Sequence, residues 1–360
     1  MPAEPFSRQY EGDWITAGLI DIHNHGIGGS PNASEYWFHE YTVKMLPKYG
    51  TTSCLATLTF PKNELQLTKK LVGHLQGVCG KVVPSCAVIE GIHAEGPIIR
   101  TSGGLPEGEV LGVQQFSEFL KELLPSLKIM TISPSLEKTI NFERLLIAAR
   151  VVPALGHDVE ASEDDVIEAL RVVNEQCPVH ITHLFNVSKF HHREIGLSNI
   201  GMISKFPPME KYQNLQEPSI ELIGDFIHVH PLLIHTTLNS KNRNKIVFIS
   251  DAILDGNAES AQVSYCGRNL INNNKRVLIE NTNTLAGSCT NLLQVFHNLT
   301  RILKVPVTDA IQMLSENPAK IIGLNHIGLL KPNYRADILI FNSNLDLQNV
   351  FINGQPIPIH

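Results

Sequence analysis

Residues 18–26, GLIDIHNHG, combine the pattern of a buried strand with two closely spaced histidines. An apolar run ends at His23 and His25, and glycine follows. In a β-strand, residues two positions apart face the same side, so both imidazoles are expected to converge at the carboxyl end of one strand. Imidazole is the commonest protein ligand for transition metals. The segment therefore predicts a strand that carries part of a metal site.

Seven further apolar runs of the same kind follow along the chain. They are TSCLATLTF from Thr52, AVIEGIHAEGP from Ala87, IMTISPS from Ile129, VVPALGHD from Val151, HITHLFN from His180, IELIGDFIH from Ile220 and IVFISDAI from Ile246. Helical patterns separate most of them, including SEYWFHEYTVKMLPKYG and ASEDDVIEALRVVNEQ, the second of which opens with the N-cap signal Ser162. Eight apolar strands that alternate with helices predict an α/β fold, a (β/α)8 TIM-like barrel.

The chain of 360 residues is long enough for such a barrel and a small appendage. We place the barrel at residues 18–329 and a reduced β accessory unit at residues 1–17 and 330–360. The segment RADILIFNSNLDLQNVFING alternates apolar and polar residues and contains an Asn-Gly turn signal, so it is expected to pair with the residues ahead of Gly18. The run 272–275 is expected to be a surface loop.

Composition limits the class of partner. The net charge is −6 and no long basic run is present, which argues against nucleic acid and against anionic membranes. The six cysteines form no CxxC pair and resemble reduced core residues. No apolar stretch of signal-peptide type or of membrane-spanning length occurs in the sequence. We therefore expect a cytoplasmic protein.

Ionisable residues follow the strands at their carboxyl ends, where barrel enzymes have their active sites. A buried ionisable group costs several kcal/mol unless it is paired or coordinated, so stability alone does not explain this pattern. A metal that activates water takes a mixed set of histidines and carboxylates. The candidates are Glu95, His157 and His183 for one ion, and His23, His25 and Asp251 for a second, with Glu95 able to bridge the two.

Each candidate also has a structural alternative. His157 could cap a strand beside Gly156, and His183 could be a satisfied core histidine. Asp251 could be a helix N-cap, although that role is compatible with catalysis, and it is our candidate general acid and base. His180, an odd number of positions from His183, is expected to face the other side and to be structural.

Ten motifs together resemble the amidohydrolase superfamily and, within it, the N-acetylglucosamine-6-phosphate deacetylases. They are GLIDIHNHG, YGTTSCLATLT, GIHAEGP, ALGHD, THLFN followed by HHREIG, IHVHP, ISDAI, LAGS, ENPAKIIGL and RADILIFN. The resemblance extends from Gly18 to Gly354, and EGP, THLFN, HHRE and LAGS are its specific parts. Some members of the superfamily bind metal through a carboxylated lysine on strand four. Here Lys128 precedes that strand, so it does not match. Glu95 on strand three fits the deacetylase branch instead.

The resemblance implies roles for individual residues. Glu95, His157 and His183 match the principal metal ligands, whereas His23 and His25 match the pair that holds a second ion in some members. Zinc or iron is the expected metal, with one or two ions per subunit. The remaining matches are Asp251 as the catalytic aspartate, His228 as the group that polarises the amide carbonyl and touches the sugar, and Asn186, Val187, Leu285, Ala286 and Gly287 as substrate-binding residues.

Arg193 matches an arginine that reaches the substrate phosphate of a neighbouring subunit, which implies a homodimer. Its alternative is a solvated surface arginine. The guanidinium fork suits this role because it bonds two phosphate oxygens at once.

Three positions depart from the family pattern and leave the sugar and the phosphate requirement open. Leu105 stands where the family has a sugar-contacting histidine, Ser135 replaces a glutamate, and Phe226 replaces a glycine. The sequence thus predicts a divergent deacetylase that converts N-acetylglucosamine 6-phosphate to glucosamine 6-phosphate and acetate. The alternatives are the galacto epimer or a non-phosphorylated N-acyl compound as substrate, and a non-catalytic relative that only binds sugar phosphates.

Overall fold

The computed structural model describes residues 13–27, 41–62, 65–172, 177–254 and 262–359. Its centre is a sheet of eight parallel strands whose spatial order follows the sequence. The strands are β2 (Leu19–Asp21), β3 (Thr51–Thr59), β4 (Val88–Glu95), β5 (Leu127–Ile132), β6 (Val152–Leu155), β7 (His180–Ile181), β8 (Ser219–Ile223) and β9 (Ile246–Ile249). All eight predicted strands are present.

The sheet closes at its carboxyl rim, where the first and last strands meet. A parallel bridge joins Asn24 to Ala252. The amide of His25 donates to the carbonyl of Ala252 at 2.9 Å, and the amide of Asp251 donates to the carbonyl of His23 at 2.9 Å. The barrel prediction is confirmed, and its closure brings the predicted ligand segments of the first and eighth strands side by side.

The strands form because almost every residue in them is buried. β3 and β4 are buried along their whole length, as expected for parallel strands with helices outside and packed side chains inside. The interior of the barrel is filled by apolar side chains such as Ile20, Leu55 and Ile129. The barrel is therefore a packed core and not an open channel.

Ten α-helices lie among the described residues. They are α1 (Val43–Met45), α2 (Leu65–Val78), α3 (Val113–Leu123), α4 (Thr139–Ala148), α5 (Glu163–Arg171), α6 (Leu197–Gly201), α7 (Pro231–Ser240), α8 (Leu292–His297), α9 (Val307–Ile311) and α10 (Asn317–Ile321). The predicted N-cap of α5 is confirmed, since the Ser162 hydroxyl accepts from the amide of Asp165 at 3.2 Å. Residues 34–40 and 173–176 of two predicted helical segments lie outside the described part.

A four-stranded antiparallel sheet joins the two ends of the described chain. Its order is β1 (Trp14–Ala17), β13 (Ile338–Phe341), β14 (Leu347–Ile352) and β15 (Gln355–Ile357). The predicted pairing ahead of Gly18 is present, with Ala17 opposite Ile338. Residues 1–12 and 360 of this unit lie outside the described part, and the domain boundary at residue 329 stays a prediction.

A second antiparallel sheet follows the eighth barrel strand and was not predicted. It consists of β10 (Gln262–Tyr265), β11 (Arg268–Asn273) and β12 (Arg276–Ile279). The prediction of a surface loop at 272–275 is wrong, because Asn272 and Asn273 belong to β11. Only Asn274 and Lys275 form the turn, with φ of 50° and 65°. Two residues with positive φ suit the tight turn of a hairpin.

No helix in the described ranges has the length and apolar character that a membrane crossing requires.

Candidate functional site

Glu95 is the centre of the candidate site. It ends β4 and is 2% exposed. Its Oε1 atom lies 2.9 Å from Nε2 of His157 and 2.9 Å from Nε2 of His183. The two Nε2 atoms are 3.1 Å apart. The structure therefore brings together the three residues predicted to share one ion.

The second predicted set lies on the other side of the same carboxylate. Nε2 of His25 is 3.1 Å from Oε2 of Glu95, and Nε2 of His23 is 3.5 Å from Oε1. Oδ1 of Asp251 lies 3.4 Å from Nε2 of each of these histidines. Glu95 thus stands between the two sets, in the position of a bridging ligand.

The histidines converge through loop conformations and not through strand alternation, which corrects the sequence prediction. β2 ends at Asp21, and β7 ends at Ile181, so His23, His25 and His183 all lie beyond the strands. The rings of His23 and His25 are 5.4 Å apart at 60°. Their positions depend on the turns at the rim.

The arrangement fits a divalent metal ion. Ligand atoms at about 2.1 Å from a tetrahedral ion lie roughly 3.4 Å apart, and the contacts between neighbouring ligand atoms here range from 2.9 to 3.5 Å. Within the described residues, Nε2 of His23 is buried and has no hydrogen-bond partner. In the neutral imidazole this nitrogen has the lone pair that an ion requires, and it lies beside the carboxylates that would share the ion.

A third possible cluster does not fit a metal. It combines His23, His93 and Glu221. Both ring nitrogens of His93 are already used, one at 2.9 Å from the carbonyl of Ile22 and one at 3.0 Å from Oγ1 of Thr131. Burial lowers the pKa of His93 to about 3, so this imidazole is neutral. We assign it a structural role.

Attraction between the carboxylates and the imidazoles of the cluster offsets the free-energy cost of burying their charges. Burial favours the neutral forms, but the carboxylates of Glu95 and Glu221 raise the pKa of His23 well above its usual range. Burial likewise opposes ionisation of Glu95, yet the charge of His23 holds its pKa well below the usual range. The same balance, with His23 and His25 outweighing burial, lowers the pKa of Asp251. The carboxylates therefore remain anionic and available as ligands.

Several site residues have a left-handed backbone. The φ angles of His157, Val187 and Asp251 are 53°, 47° and 50°. This conformation is uncommon for residues other than glycine and is a marked outlier for β-branched valine. Such strain persists only where surrounding contacts impose it, and it concentrates at functional sites.

A cavity opens onto the cluster. Asn186 and Val187 line it, and so do Leu285, Ala286 and Gly287 of the LAGS segment. The structure thus gathers these predicted substrate-binding residues beside the candidate ligands. Their roles in binding remain predictions.

His228 does not line this cavity, although it was predicted to contact substrate. Its Nδ1 atom lies 2.7 Å from Oδ2 of Asp225, and its Nε2 atom is buried without a hydrogen-bond partner in the described part of the chain. Burial opposes protonation, but the carboxylate of Asp225 raises the pKa of His228. Asp225 also accepts the amides of Ile227 and His228 at 2.9 Å each, so it fixes the whole turn.

Arg193 is exposed on the loop between β7 and α6 and does not line the cavity of its own chain. The loop is held by Asn199, whose side chain bonds the backbone of His191 at 3.1 and 3.3 Å. The predicted contact of Arg193 with a neighbouring subunit stays a prediction.

The three departures from the family pattern occupy different places. Leu105 is buried and lines the cavity, so it can affect substrate choice directly. Ser135 does not line the cavity, and its amide donates to Oδ2 of Asp158 at 2.8 Å. Phe226 has φ of 64°, a conformation that glycine adopts without strain. Only the departure at Leu105 therefore concerns the cavity wall.

Sequence reasoning missed two residues that contact the candidate ligands. Oε2 of Glu221 is 2.9 Å from Nδ1 of His23, and the Tyr265 hydroxyl is 3.1 Å from Nδ1 of His25. A lone glutamate in the apolar run SIELI was a usable signal for the first. His180 is buried and lies 3.0 Å from Oε1 of Glu221, away from the ligand atoms around Glu95.

Comparison with known proteins places these features in a family context. The amidohydrolase family model matches residues 202–357. The N-acetylglucosamine-6-phosphate deacetylase of Bacillus subtilis is 26% identical over 362 residues, which cover 96% of this chain and 86% of that protein. The N-acetylgalactosamine-6-phosphate deacetylase of Escherichia coli O157:H7 is 24% identical over 359 residues, with coverage of 96% and 88%.

Two solved structures share the fold. The N-acetyl-D-glucosamine-6-phosphate deacetylase of Mycobacterium smegmatis gives a TM-score of 0.82 at 22% identity, covering 99% of this chain and 91% of that one. The N-acetylglucosamine-6-phosphate deacetylase of Thermotoga maritima gives 0.78 at 22% identity, covering 98% and 91%. This chain therefore shares the fold of these two structures.

Proposed function

We propose, on the premise that this chain is a divergent relative of the amidohydrolase-family deacetylases, that it hydrolyses the N-acetyl group of an amino-sugar phosphate. N-acetylglucosamine 6-phosphate is the first candidate substrate, and glucosamine 6-phosphate and acetate are the products. The observation that carries the proposal is the convergence of His157 and His183 on Glu95, each at 2.9 Å. This donor set suits metal-assisted hydrolysis of an amide.

Glu95, His157 and His183 would hold one divalent ion, and His23, His25 and Asp251 would hold a second beside it. Zinc or iron is the proposed metal, with one or two ions per subunit, because imidazole and carboxylate donors suit both. Bound there, the ion would supply positive charge that acidifies a water molecule and polarises the amide carbonyl.

Asp251 is the proposed proton carrier. Its low pKa means that the carboxylate is free to accept a proton at neutral pH. It takes one proton from the attacking water, whose oxygen forms a bond to the carbonyl carbon. When the carbon–nitrogen bond breaks, Asp251 gives this proton to the departing amine. One water is consumed, and acetate and the free amino sugar are released.

His228 is the proposed donor to the carbonyl oxygen. Because Asp225 accepts a hydrogen bond from Nδ1, the Nε2 atom can donate only when the imidazole is protonated. The carboxylate of Asp225 raises the pKa of His228 and so favours the protonated form. A hydrogen bond from Nε2 to the oxygen would grow stronger as negative charge develops there. We propose that the substrate reaches His228 from the cavity that Asn186, Val187 and residues 285–287 line.

We propose a homodimer in which Arg193 reaches the phosphate of the substrate bound to the other subunit. The support is its exposure at the rim, outside the cavity of its own chain. All six cysteines are free thiols, which supports a reducing compartment, and we place the protein in the cytoplasm.

A second candidate substrate is the galacto epimer or a non-phosphorylated N-acyl compound. The observation in its favour is Leu105, an apolar side chain in the cavity wall where the family has a sugar-contacting histidine. Such a change removes a polar contact that can distinguish sugar hydroxyls.

Acetate release from N-acetylglucosamine 6-phosphate, from its galacto epimer and from N-acetylglucosamine tests the proposal. The metal-loaded protein should turn over the first substrate with the highest kcat/KM. A preference for either other substrate would support the second candidate. A metal-replete protein that releases no acetate from any acetylated sugar would reject both and favour a binding protein without catalysis.

A further inference from the structure

We infer that Glu221 and Tyr265 are positioning residues for His23 and His25, and that they set the cation affinity of the position formed by this pair. The inference rests on the proposed function only in requiring that the site binds a divalent cation. Neither residue belongs to the proposed ligand set. Each contacts the side of one imidazole that faces away from Glu95.

Glu221 lies in β8 and is fully buried. Its Oε2 atom is 2.9 Å from Nδ1 of His23 and 3.2 Å from the amide nitrogen of His183. Its Oε1 atom is 3.0 Å from Nε2 of His180. Within the described part of the chain, Glu221 pairs with the imidazoles of His23 and His180. These contacts offset the cost of burying its carboxylate.

An ionised carboxylate only accepts hydrogen bonds, so His23 must carry a hydrogen on Nδ1. In the neutral imidazole, which is the form that binds a metal, Nε2 then has the lone pair, and this is the atom that lies 3.5 Å from Glu95 and 3.4 Å from Asp251. An imidazole binds a metal only through a lone pair. Glu221 therefore selects the tautomer of His23 that can be a ligand, and it also fixes the orientation of the ring.

Tyr265 has the same relation to His25. Its hydroxyl is 3.1 Å from Nδ1 of His25, whose Nε2 atom is 3.1 Å from Glu95. The hydroxyl can accept a hydrogen bond from Nδ1, which again leaves Nε2 with its lone pair. Residues next to Tyr265 in the chain contact the rim of the barrel. Sγ of Cys266 is 3.5 Å from Oγ1 of Thr59, and Arg268 donates to the carbonyl of Gly104 at 3.2 Å.

Tyr265 comes from β10, in the sheet inserted after the barrel. The insertion therefore completes the surroundings of the cluster from outside the barrel. By contrast, Nδ1 of His157 lies 2.9 Å from the backbone carbonyl of Thr101, an acceptor that no side-chain substitution removes. Loss of Tyr265 or Glu221 should thus weaken the His23–His25 position more than the position at His157 and His183.

Cobalt titration of the full-length protein, stripped of metal by a chelator, tests this inference. Wild type is compared with Tyr265→Phe and Glu221→Gln, and the readouts are ions per chain and the visible absorption of bound Co²⁺. Tyr265→Phe removes one oxygen and preserves the ring, so it is the variant with the least risk to folding. Tyr334→Phe and Glu143→Gln are matched controls, because neither residue lines the cavity.

We expect wild type to bind two ions, and each variant to bind one of them about 10–100-fold more weakly with an altered absorption band. The ion at Glu95, His157 and His183 should be affected less than the ion at His23 and His25, and both controls should bind as wild type does. If the titrations of both variants superimpose on that of wild type, the inference is overturned and the proposed function stands. The same holds if wild type binds only one ion. Equal weakening by the controls would overturn it too. A wild type that binds no cation would reject the proposed function itself.

Discussion

Glu95 and His183 lie 88 positions apart in the chain, yet Oε1 of Glu95 is 2.9 Å from Nε2 of His183. The closed barrel produces this contact, because it brings the carboxyl ends of β4 and β7 to the same rim. His157, from the segment after β6, lies equally close to the same oxygen. We propose that the three side chains converge to hold a divalent cation for amide hydrolysis.

Asp251→Asn should reduce kcat by about 10²–10⁴-fold, because the amide cannot accept the proton of the attacking water. The substitution preserves shape, so the ion at Glu95, His157 and His183 should remain. The measurement is kcat together with metal content of the same preparation. A variant that keeps more than a tenth of wild-type turnover would show that Asp251 is not the proton carrier.

Asp225→Asn should lower kcat by about 10²-fold, comparable to the loss of one donor to a developing oxyanion. Asp225 raises the pKa of His228, so the protonated imidazole persists to higher pH in wild type. Without that carboxylate the pKa of His228 falls, and the alkaline limb of the pH–rate profile should move to lower pH. An unchanged alkaline limb would remove His228 from the proposed role.

Arg193→Ala should raise KM for the phosphorylated substrate by roughly 10–100-fold, the effect of losing charge-assisted hydrogen bonds to phosphate. The kinetics of a non-phosphorylated substrate should not change. Arg301→Ala is the control, since Arg301 is also exposed and pairs with Asp346 at 2.7 Å.

Combining two impaired variants in one dimer, assayed at a substrate concentration below the wild-type KM, tests whether the arginine acts across a homodimer. A hybrid of Arg193→Ala and Asp251→Asn chains contains one site with an intact Asp251 and an Arg193 from the other chain. Co-expression should therefore restore part of the activity. No recovery in a verified hybrid dimer would mean that Arg193 does not serve a neighbouring site.

Glu143→Gln should stabilise the protein at alkaline pH. Glu143 is buried in α4 and both its oxygens lack hydrogen-bond partners within the described chain. Burial, with a smaller effect of Glu168, raises its pKa to about 9. The folded form keeps this proton while the unfolded chain releases it above the ordinary value of 4.5, so stability declines as pH rises from 4.5 to 9.

Removing this group should add about 1–3 kcal/mol to the free energy of unfolding at pH 8.5, and less at pH 5. Urea unfolding at both pH values measures the difference. A gain that is equal at the two pH values would contradict a role for the titration of Glu143.

Much of the fold could be predicted from the sequence because each barrel strand is a short apolar run. The run IVFISDAI, for example, has the continuous hydrophobicity of a strand buried on both faces. The terminal sheet was also predictable, from the Asn353-Gly354 turn and the alternation before it. The inserted sheet was not, because its asparagine-rich segment around 272–275 has the composition of a loop.

The identities of the site residues could be predicted from the sequence, but the backbone conformations and side-chain orientations that bring them together could not. Period-two alternation does not explain the convergence of His23 and His25, since both lie after the end of β2. Their orientation depends on contacts from distant segments, Glu221 and Tyr265, which local patterns do not encode. Similarly, the rim loops adopt left-handed conformations at His157 and Asp251 that composition alone does not indicate.

The most direct test is an anomalous difference map from crystals of protein purified without chelator. We predict a metal peak at about 2.0–2.3 Å from a carboxylate oxygen of Glu95 and from Nε2 of His157 and His183. A protein that releases acetate while its map has no peak at these three side chains would show that they do not hold a catalytic metal.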